Sequence, residues 1–353
     1  MYLCEEFKYK LPINMEPEWA KFFKPDYSFK KVNLTVKKIN NVFVNHYGLV
    51  LKNGLLVKGC APNIGFSSYD EGFYFKHWRK VFEQKLVCKY GKSLKAKTLS
   101  SENKYLLIHS PWFSYYFWIS ECIPRLLSVK EDVEDLILIY PESWKNLSFV
   151  NNTLSLFPKL RKEIIPKDLH LNVPKLVMPE VKPWTPMFIP KMVLETKYFI
   201  EEVVKQLNIE IPIYERIYIS RKKAQRRKFL DENEIEAFLK KHGFQSIVME
   251  DYSFFEQVYL MMNAKVTCGI TGAGHINAMF MPKGSYFFDF TNQGYKNSKI
   301  YKFHYYKLCN IVHVNYLVQF FNFKEKPEIK KFSQQPLIPD YNLLERNINL
   351  INQ

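Results

Sequence analysis

The strongest constraint on the fold is a regular alternation of short apolar runs and helix-spaced segments between residues 216 and 316. Arg216-Ile217-Tyr218-Ile219-Ser220 reads as a strand, as do 244–249, 265–270, 286–290 and 311–316. Asp231 with Glu234, and Ser253 with Glu256, have capping-box spacing, in which a short polar side chain and an acid three residues on satisfy the free amides of a helix start. The helix after Asp231 has Ile235, Phe238 and Leu239 as its buried stripe and ends at Gly243; the helix after Ser253 buries Phe255, Val258, Tyr259 and Met262. A short helix over 275–281 is stopped by Pro282, and another lies near 299–308. Strands and helices alternating at such spacings predict a doubly wound parallel sheet of Rossmann type. Ligands of such sheets bind beyond the carboxyl ends of the strands. Segments 220–227, 271–277 and 289–291 all fall at such ends and are placed to share one crevice.

One of these ends is glycine-rich: Thr271-Gly272-Ala273-Gly274-His275-Ile276-Asn277 follows an apolar run and precedes helical spacing. Small residues there let a ligand approach the backbone, and a helix start offers free N–H groups to an anion. Taken alone, the pattern fits a tight strand-to-helix connection equally well. The loop Arg221-Lys222-Lys223-Ala224-Gln225-Arg226-Arg227-Lys228 is the best anion candidate, because arginine binds phosphate in bidentate fashion and stays charged. Arg221 and Arg227 are favoured over the lysines, which read as a solvated face.

The first half is less regular. Residues 1–35 carry Pro12, Pro17 and Pro25 and read as a loop or extension. Strands over 41–60 turn at Asn53-Gly54, a strong hairpin signal. Residues 61–100 show no clear organisation. A strand over 105–108 leads to a helix with Trp118, Ile119, Cys122, Ile123, Leu126 and Leu127 on one face, which Pro124 is expected to kink. A strand covers 136–140, and a helix, a Pro break and a short strand fill 147–170. The segment 173–192 holds Pro174, Pro179, Pro183, Pro186 and Pro190 and reads as extended chain crossing between domains. The expected division is 1–190 for a first domain and 191–319 for a second. The tail, 320–353, with Leu343, Leu344, Ile348 and Ile351 at helical spacing, is expected to pack back on the first domain.

A net charge of +16 points to an anionic partner such as a nucleotide, other phosphates or an acidic membrane surface. Simple lysine enrichment explains it equally well. The six cysteines form no CxxC pair or Cys/His metal spacing, which argues for a reducing compartment and against structural zinc; Cys122 and Cys268 read as buried thiols. Met1-Tyr2-Leu3-Cys4-Glu5-Glu6 lacks the basic start and apolar core of a signal peptide, and no apolar run approaches membrane-spanning length. A cytoplasmic protein, peripheral at the inner face of the membrane, is the expectation. No nucleic-acid-binding motif is present.

Glu121 lies at the edge of the apolar helix stripe, where a carboxylate is placed either as a general base of raised pKa or as an ordinary helix ion pair. His109 ends a strand and His275 opens a helix. Asp289, at a strand end, is a candidate acceptor for a ribose or sugar hydroxyl. No Asp-x-Asp pair, Walker loop, Gly-x-Ser-x-Gly or HExxH is present.

These residues together resemble glycosyltransferase family 61, which includes O-linked N-acetylglucosaminyl and xylosyl transferases and bacterial capsule enzymes. The resemblance spans roughly 105–315 and rests on ordered motifs. Arg216-Ile217-Tyr218-Ile219-Ser220-Arg221 is followed by Arg227, by Asp231-Glu232-Asn233-Glu234, and by Glu250, Ser253, Glu256-Gln257 and Ala264. Then comes Gly269-Ile270-Thr271-Gly272-Ala273-Gly274 with Asn277, Phe280, Met281 and Pro282; upstream stands Tyr116-Phe117-Trp118-Ile119-Ser120-Glu121-Cys122-Ile123-Pro124-Arg125-Leu126. The resemblance implies a GT-B architecture of two Rossmann-like domains facing a central cleft, and inverting hexosyl or pentosyl transfer from a nucleotide sugar, UDP-linked, with neither metal nor cofactor. The acceptor is expected to be a glycan or lipid-linked glycan of surface polysaccharide or glycoconjugate synthesis. Glu121 matches the family's acidic position and becomes the candidate base. Ser220, Arg221, Arg227, Glu250, Thr271, Gly272, Ala273, Gly274, His275, Asn277 and Asp289 form the expected donor set, and His109, Trp118 and Arg125 lie on the acceptor side. The chain departs from the family pattern at Thr271 and Phe117, where histidines are usual. His109 and His275 are the candidates to compensate. The alternative is an inactive relative that binds glycan or membrane.

Overall fold

The structure is a computed structural model and describes residues 2–4, 7–19, 23, 28–29, 32–45, 47–61, 96–167, 169–182, 188–294, 304–323 and 335–352. The unorganised stretch 61–100 thus lies mostly outside the described residues, as does the start of the expected helix near 299–308. The chain forms two compact α/β units: Met1–Glu5 with Lys31–Thr196, and Glu6–Lys30 with Lys197–Gln353. Residues 1–35, expected to be loop, include the paired strands Tyr2–Cys4 with Val32–Leu34 and Phe7–Lys8 with Ser28–Phe29.

The first unit is built on a mixed sheet of β1 (Val36–Asn45), β2 (Val50–Lys52), β3 (Leu55–Leu56), β4 (Ala96–Thr98), β5 (Lys104–Leu106), β6 (Leu136–Pro141), β7 (Arg161–Ile165) and β8 (His170–Pro179). Its order is β7-β6-β5-β8-β1-β2-β3, with β4 also on β8. The expected hairpin is present: Asn53 has φ 51° and Gly54 φ 74°, the left-handed pair that a tight two-residue turn needs. A helical run follows β5: α1 (Tyr115–Phe117), a π-helical stretch Trp118–Cys122, and α2 (Ile123–Leu127). Pro124 sits in the first turn of α2, but the helical run continues unbroken from the π-helical stretch before it, so its missing N–H removes one backbone hydrogen bond of that run. The irregularity expected there takes the form of the wider π turn just before it. α3 is Ser148–Leu154.

Of the proline-bearing stretch 173–192 expected to link domains, residues 173–179 belong instead to a central strand, 183–187 lie outside the described residues, and a helix starts at Pro190. β8 pairs antiparallel with β1 and parallel with β4 and β5. Its ladder joins Val173 to Val42 and Lys175 to Asn40, skipping Pro174, which has no N–H to give, opposite Asn41 with its left-handed φ of 53°. Pro179 is the strand's last residue. The boundary between units falls within α4 (Pro190–Gln206), between Thr196 and Lys197.

The second unit follows the alternation read from the sequence: β9 (Arg216–Ile219), α5 (Glu232–Lys241), β10 (Gln245–Ile247), α6 (Phe254–Asn263), β11 (Val266–Ile270), a 3-10 helix Ala273–Phe280, β12 (Tyr286–Asn292), α7 (His304–Ile311), β13 (Asn315–Phe323), β14 (Leu337–Ile338) and α8 (Tyr341–Ile351). The sheet runs β10-β9-β11-β12-β13-β14, parallel as far as β13 and antiparallel at β14. The strand order therefore reverses between β9 and β11, the topological switch point at which doubly wound sheets bind ligands. Ser253 and Glu256 form a full capping box; Asp231 caps the amides of Asn233 and Glu234.

Side chains alternate across this sheet with the two-residue strand period. Tyr218, Cys268, Phe288, Phe290, Leu317 and Phe321 pack with Ile235 and Leu239 of α5 and with Leu344, Ile348 and Ile351 of α8. The C-terminal tail, expected on the first domain, thus completes the core of the second. The last parallel strand begins at Asn315 rather than 311, because α7 runs on to Ile311 and is closed by His313 in a left-handed conformation (φ 58°).

Candidate active site

Two arginines converge on the glycine turn from the β9 end of the switch point. A Cβ on Gly272 would clash with Arg221 Nη1, so the space left by the missing side chain is the seat of that guanidinium. Arg227 has φ 58°, a left-handed backbone that costs a non-glycine residue about 1–2 kcal/mol. It donates from Nη1 to the Thr271 carbonyl at 3.0 Å. Arg221 donates from Nη2 to the Arg226 carbonyl at 3.2 Å. Among the described residues the Nε of each arginine is buried without a hydrogen-bond partner. Burial lowers the Arg221 pKa, and the Arg227 charge lowers it further, against the opposing pull of Glu250 and Glu232. Two cations held side by side with donors to spare form a site for an anion. Ala273 is exposed and Gly274 half-exposed, with nothing near the position of a Cβ on Gly274, so the turn's backbone is open to a ligand. Glu250 is exposed beyond the end of β10, the strand neighbouring β9.

The remaining donor-side candidates point inward. Ser220 is buried, and its hydroxyl bonds Glu236 at 2.9 Å and Glu232 at 3.3 Å. Glu232 also accepts from Tyr218 Oη at 2.6 Å and from the Arg221 amide at 3.0 Å, so it anchors the base of the arginine loop. Asn277 is buried and donates to Gln257 Oε1 at 3.1 Å, tying the 3-10 helix to α6. Asp289, expected to meet a sugar hydroxyl, is completely buried. Its Oδ1 accepts from Thr271 Oγ1 at 2.6 Å and lies 3.3 Å from His275 Nδ1; its Oδ2 accepts from Tyr316 Oη at 2.7 Å. Tyr305 Oη donates to the Gly272 carbonyl. Thr271 therefore spends its side chain beneath the turn. His275 is buried there too, against Phe287 and Tyr305, and cannot present an imidazole to a ligand in this arrangement. A Cβ on Gly269 would meet the neighbouring strand first, 3.0 Å from the Ile219 carbonyl oxygen and 3.1 Å from the Ile219 Cβ. Beside Arg227 a cavity of about 10 Å³ is lined by Thr271, Thr291, Asn292 and Gln335; Thr291 Oγ1 and Asn292 Oδ1 are buried without partners.

In the first unit Glu121 lies on the π-helical stretch and is buried rather than at the edge of a stripe, 2% exposed. Its Oε1 lies 3.7 Å from Lys182 Nζ. Burial raises the Glu121 pKa, opposed by the Lys182 and Arg125 charges; burial likewise lowers Lys182 to about 8. Phe117, where the family pattern has histidine, is half-buried with its ring edge-on to Tyr116.

The three acceptor-side candidates are interior residues. Trp118 is fully buried and donates from Nε1 to Thr153 Oγ1 at 2.8 Å. His109 is buried edge-on to Trp144. Arg125 is 1% exposed and binds three carbonyls, Pro179 through Nε at 2.7 Å, Ile108 through Nη1 at 2.5 Å and Leu107 through Nη2 at 3.1 Å. It thus clamps the chain after β5 to the end of β8. Arg125→Met leaves those carbonyls without their donor in the interior, and the expected cost is about 3–5 kcal/mol. A urea melt of the variant tests this; a midpoint equal to wild type would refute the clamp.

Lys182 and Glu232 were not singled out from sequence. Lys182 follows Val181 and precedes Pro183 in the stretch read as extended chain between domains, and Glu232 enters only as part of the Asp231-Glu232-Asn233-Glu234 motif. Among the described residues no three His, Cys, Asp or Glu side chains cluster as metal ligands would, and no helix is long and apolar enough to cross a membrane. Cys60, Cys122, Cys268 and Cys309 are buried free thiols.

The strand order of the second unit defines a doubly wound α/β unit with its topological switch point between β9 and β11. Residues 115–288 match the family model described as Glycosyltransferase 61, and this region is a domain of that family. It is a glycosyltransferase, which implies in general terms a nucleotide-sugar donor and a glycan acceptor. The matched region runs from α1 into β12 and encloses Glu121, Lys182, Arg221, Arg227 and the glycine turn; Asp289 lies one residue beyond it. No curated protein matches the chain.

Proposed function

We propose that the chain transfers a sugar, with inversion, from a UDP-sugar to a hydroxyl of a glycan or lipid-linked glycan in surface polysaccharide or glycoconjugate synthesis. The observation that carries this reading is the convergence of Arg221 and Arg227 on the glycine turn, each with an Nε that has no partner among the described residues. A diphosphate seated there meets two guanidinium forks and the open backbone of Ala273 and Gly274. As the bond from the anomeric carbon to the phosphate oxygen breaks, the departing diphosphate gains charge, which the arginines stabilise in place of a divalent cation. The acceptor oxygen bonds to the anomeric carbon and its proton passes to Glu121. The two units serve as the halves of a GT-B enzyme, with the donor on the second. A net charge of +16 suits a cytoplasmic enzyme that works at an anionic membrane surface on a lipid-linked acceptor.

Thermal melts of the full chain with UDP and with UDP-sugars test this directly. A ligand at a hundredfold excess over its Kd adds about 2.7 kcal/mol to stability, a shift of several degrees for a domain of this size. If no nucleoside diphosphate or nucleotide sugar moves the melting temperature, and none turns over with glycan acceptors, the proposal is wrong. Binding without turnover would instead mark the chain as an inactive binding module.

A further inference from the structure

Lys182 is a buried cation with no assigned task. It follows β8, where the chain is fixed by the Val181 amide on the Gly59 carbonyl (2.8 Å) and by Glu180, whose carboxylate takes the Thr35 amide and hydroxyl at 2.9 Å each. The side chain is 2% exposed, and among the described residues its Nζ has no hydrogen-bond partner. The ammonium faces the rings of Phe188 at 4.8 Å and Tyr116 at 5.6 Å. Aromatic faces offset part of the cost of dehydrating a cation without occupying its N–H groups. Its ion pair is with Glu121, at 3.7 Å, and Glu121 Oε1 is also buried without a hydrogen bond.

A pair kept only for stability would look different. Two dehydrated charges are repaid only by close contact and satisfied hydrogen bonds, and well-packed apolar residues commonly do as well or better. Here the charges are buried, yet Glu121 Oε1 and Lys182 Nζ stand 3.7 Å apart, and among the described residues neither atom has a hydrogen-bond partner. The other ionisable groups around them are Arg125, whose guanidinium is committed to three carbonyls, and the thiols of Cys122 and Cys60. Arg125 also acts on Glu121 through its charge, but less than Lys182, whose ammonium pairs with the carboxylate directly. We propose that Lys182 is a positioning residue that holds Glu121 as an ionised carboxylate, ready to take the acceptor proton. The inference rests on the reading of Glu121 as the base. Lys182 itself makes and breaks no bond: the acceptor O–H proton ends on Glu121, and the ammonium keeps that carboxylate ionised until then.

The test uses the purified full chain and the variants Lys182→Met, Lys182→Arg and Glu121→Gln, each first checked for a cooperative melt. Lys182→Met is expected to move the acidic limb of the kcat profile to higher pH and, at any pH on that limb, to lower kcat about tenfold for each unit of that movement, with KM for the donor unchanged. Lys182→Arg keeps the charge and restores most of the rate. Infrared difference spectra against Glu121→Gln report the Glu121 carboxyl directly, and its titration is expected to move to higher pH in Lys182→Met. An unmoved carboxyl titration overturns the proposal, as does a fall in melting temperature in both Lys182 variants with no change in the pH limb. If Glu121→Gln is as active as wild type, the base reading fails, and the infrared titration still decides whether Lys182 controls the charge on Glu121.

Discussion

Glu121→Gln is expected to lower sugar transfer by about 10²–10⁴-fold, the usual contribution of a positioned general base, while leaving UDP binding intact. The amide has almost the carboxylate's shape but cannot accept the acceptor proton, so the loss should fall on kcat. The π-helical backbone around the residue gives no reason for the variant to misfold, since Glu121 Oε1 makes no hydrogen bond. The substitution also removes one of two buried charges and leaves Lys182 without its counter-ion. Lys182 is then expected to lose its proton more readily, and the variant should melt somewhat below wild type at neutral pH. Side-by-side kcat, KM and UDP melting measurements check the claim; transfer within threefold of wild type would remove Glu121 from the mechanism.

The same pair predicts opposite pH effects on rate and on stability. The base works only as a carboxylate, and burial raises its pKa, so the rate should fall as pH drops through a value above the ordinary carboxylate range. For stability the sign reverses. A carboxyl whose folded pKa is raised contributes stability fully present below its unfolded value of 4.5 and lost as pH rises through the folded value. Lys182, lowered from 10.5 to about 8, is protonated in the unfolded chain and neutral in the folded one between those values, so its contribution to stability grows with pH across that window.

Much of the second unit was legible because two different periods write it. The strands at 216–220 and 265–270 and the helices behind Asp231 and Ser253 carry their own caps and apolar stripes, and the structure places them within a residue or two. What the pattern could not carry was the face on which each polar residue falls. Asp289 and Thr271 stand at strand ends, where ligands bind, yet strand alternation and a hydrogen bond between the two turn both beneath the glycine turn. Period-two reasoning needs to know which face a helix covers, and that depends on α7 and the 3-10 helix packing from distant parts of the chain. In the first unit β8 stayed hidden because Pro174 and Pro179 resemble a linker until a missing rung at Pro174 is seen to accommodate the ring. Reading that strand as a linker also concealed Lys182, whose significance depends on Glu121 some sixty residues away.

The arginine pair offers the sharpest separation of folding from function. Arg221→Ala and Arg227→Gly are each expected to lower kcat/KM by about 10²–10³-fold, as loss of one preorganised donor to a developing anion does. The double variant should lose less than the product of the two, because both groups act on one diphosphate. Stability should not follow activity. Arg227 holds φ 58°, and glycine adopts that conformation without the steric penalty of about 1–2 kcal/mol. The greater freedom of glycine in the unfolded chain returns about 0.5–1 kcal/mol in the other direction, and loss of the bond to the Thr271 carbonyl takes about 0.5–1.5 kcal/mol more, so Arg227→Gly should melt near or slightly below wild type. Arg221→Ala removes a cation that its neighbour repels, at the cost of the bond to the Arg226 carbonyl, and its melting temperature without ligand should likewise change little. Both variants should lose the stabilisation by UDP seen in the wild type. Arg227→Lys should recover only part of it, because an ammonium keeps the charge but not the bidentate fork. If Arg227→Gly melts well below wild type yet still gains the full UDP shift, the strained arginine is a structural strut and the diphosphate binds elsewhere.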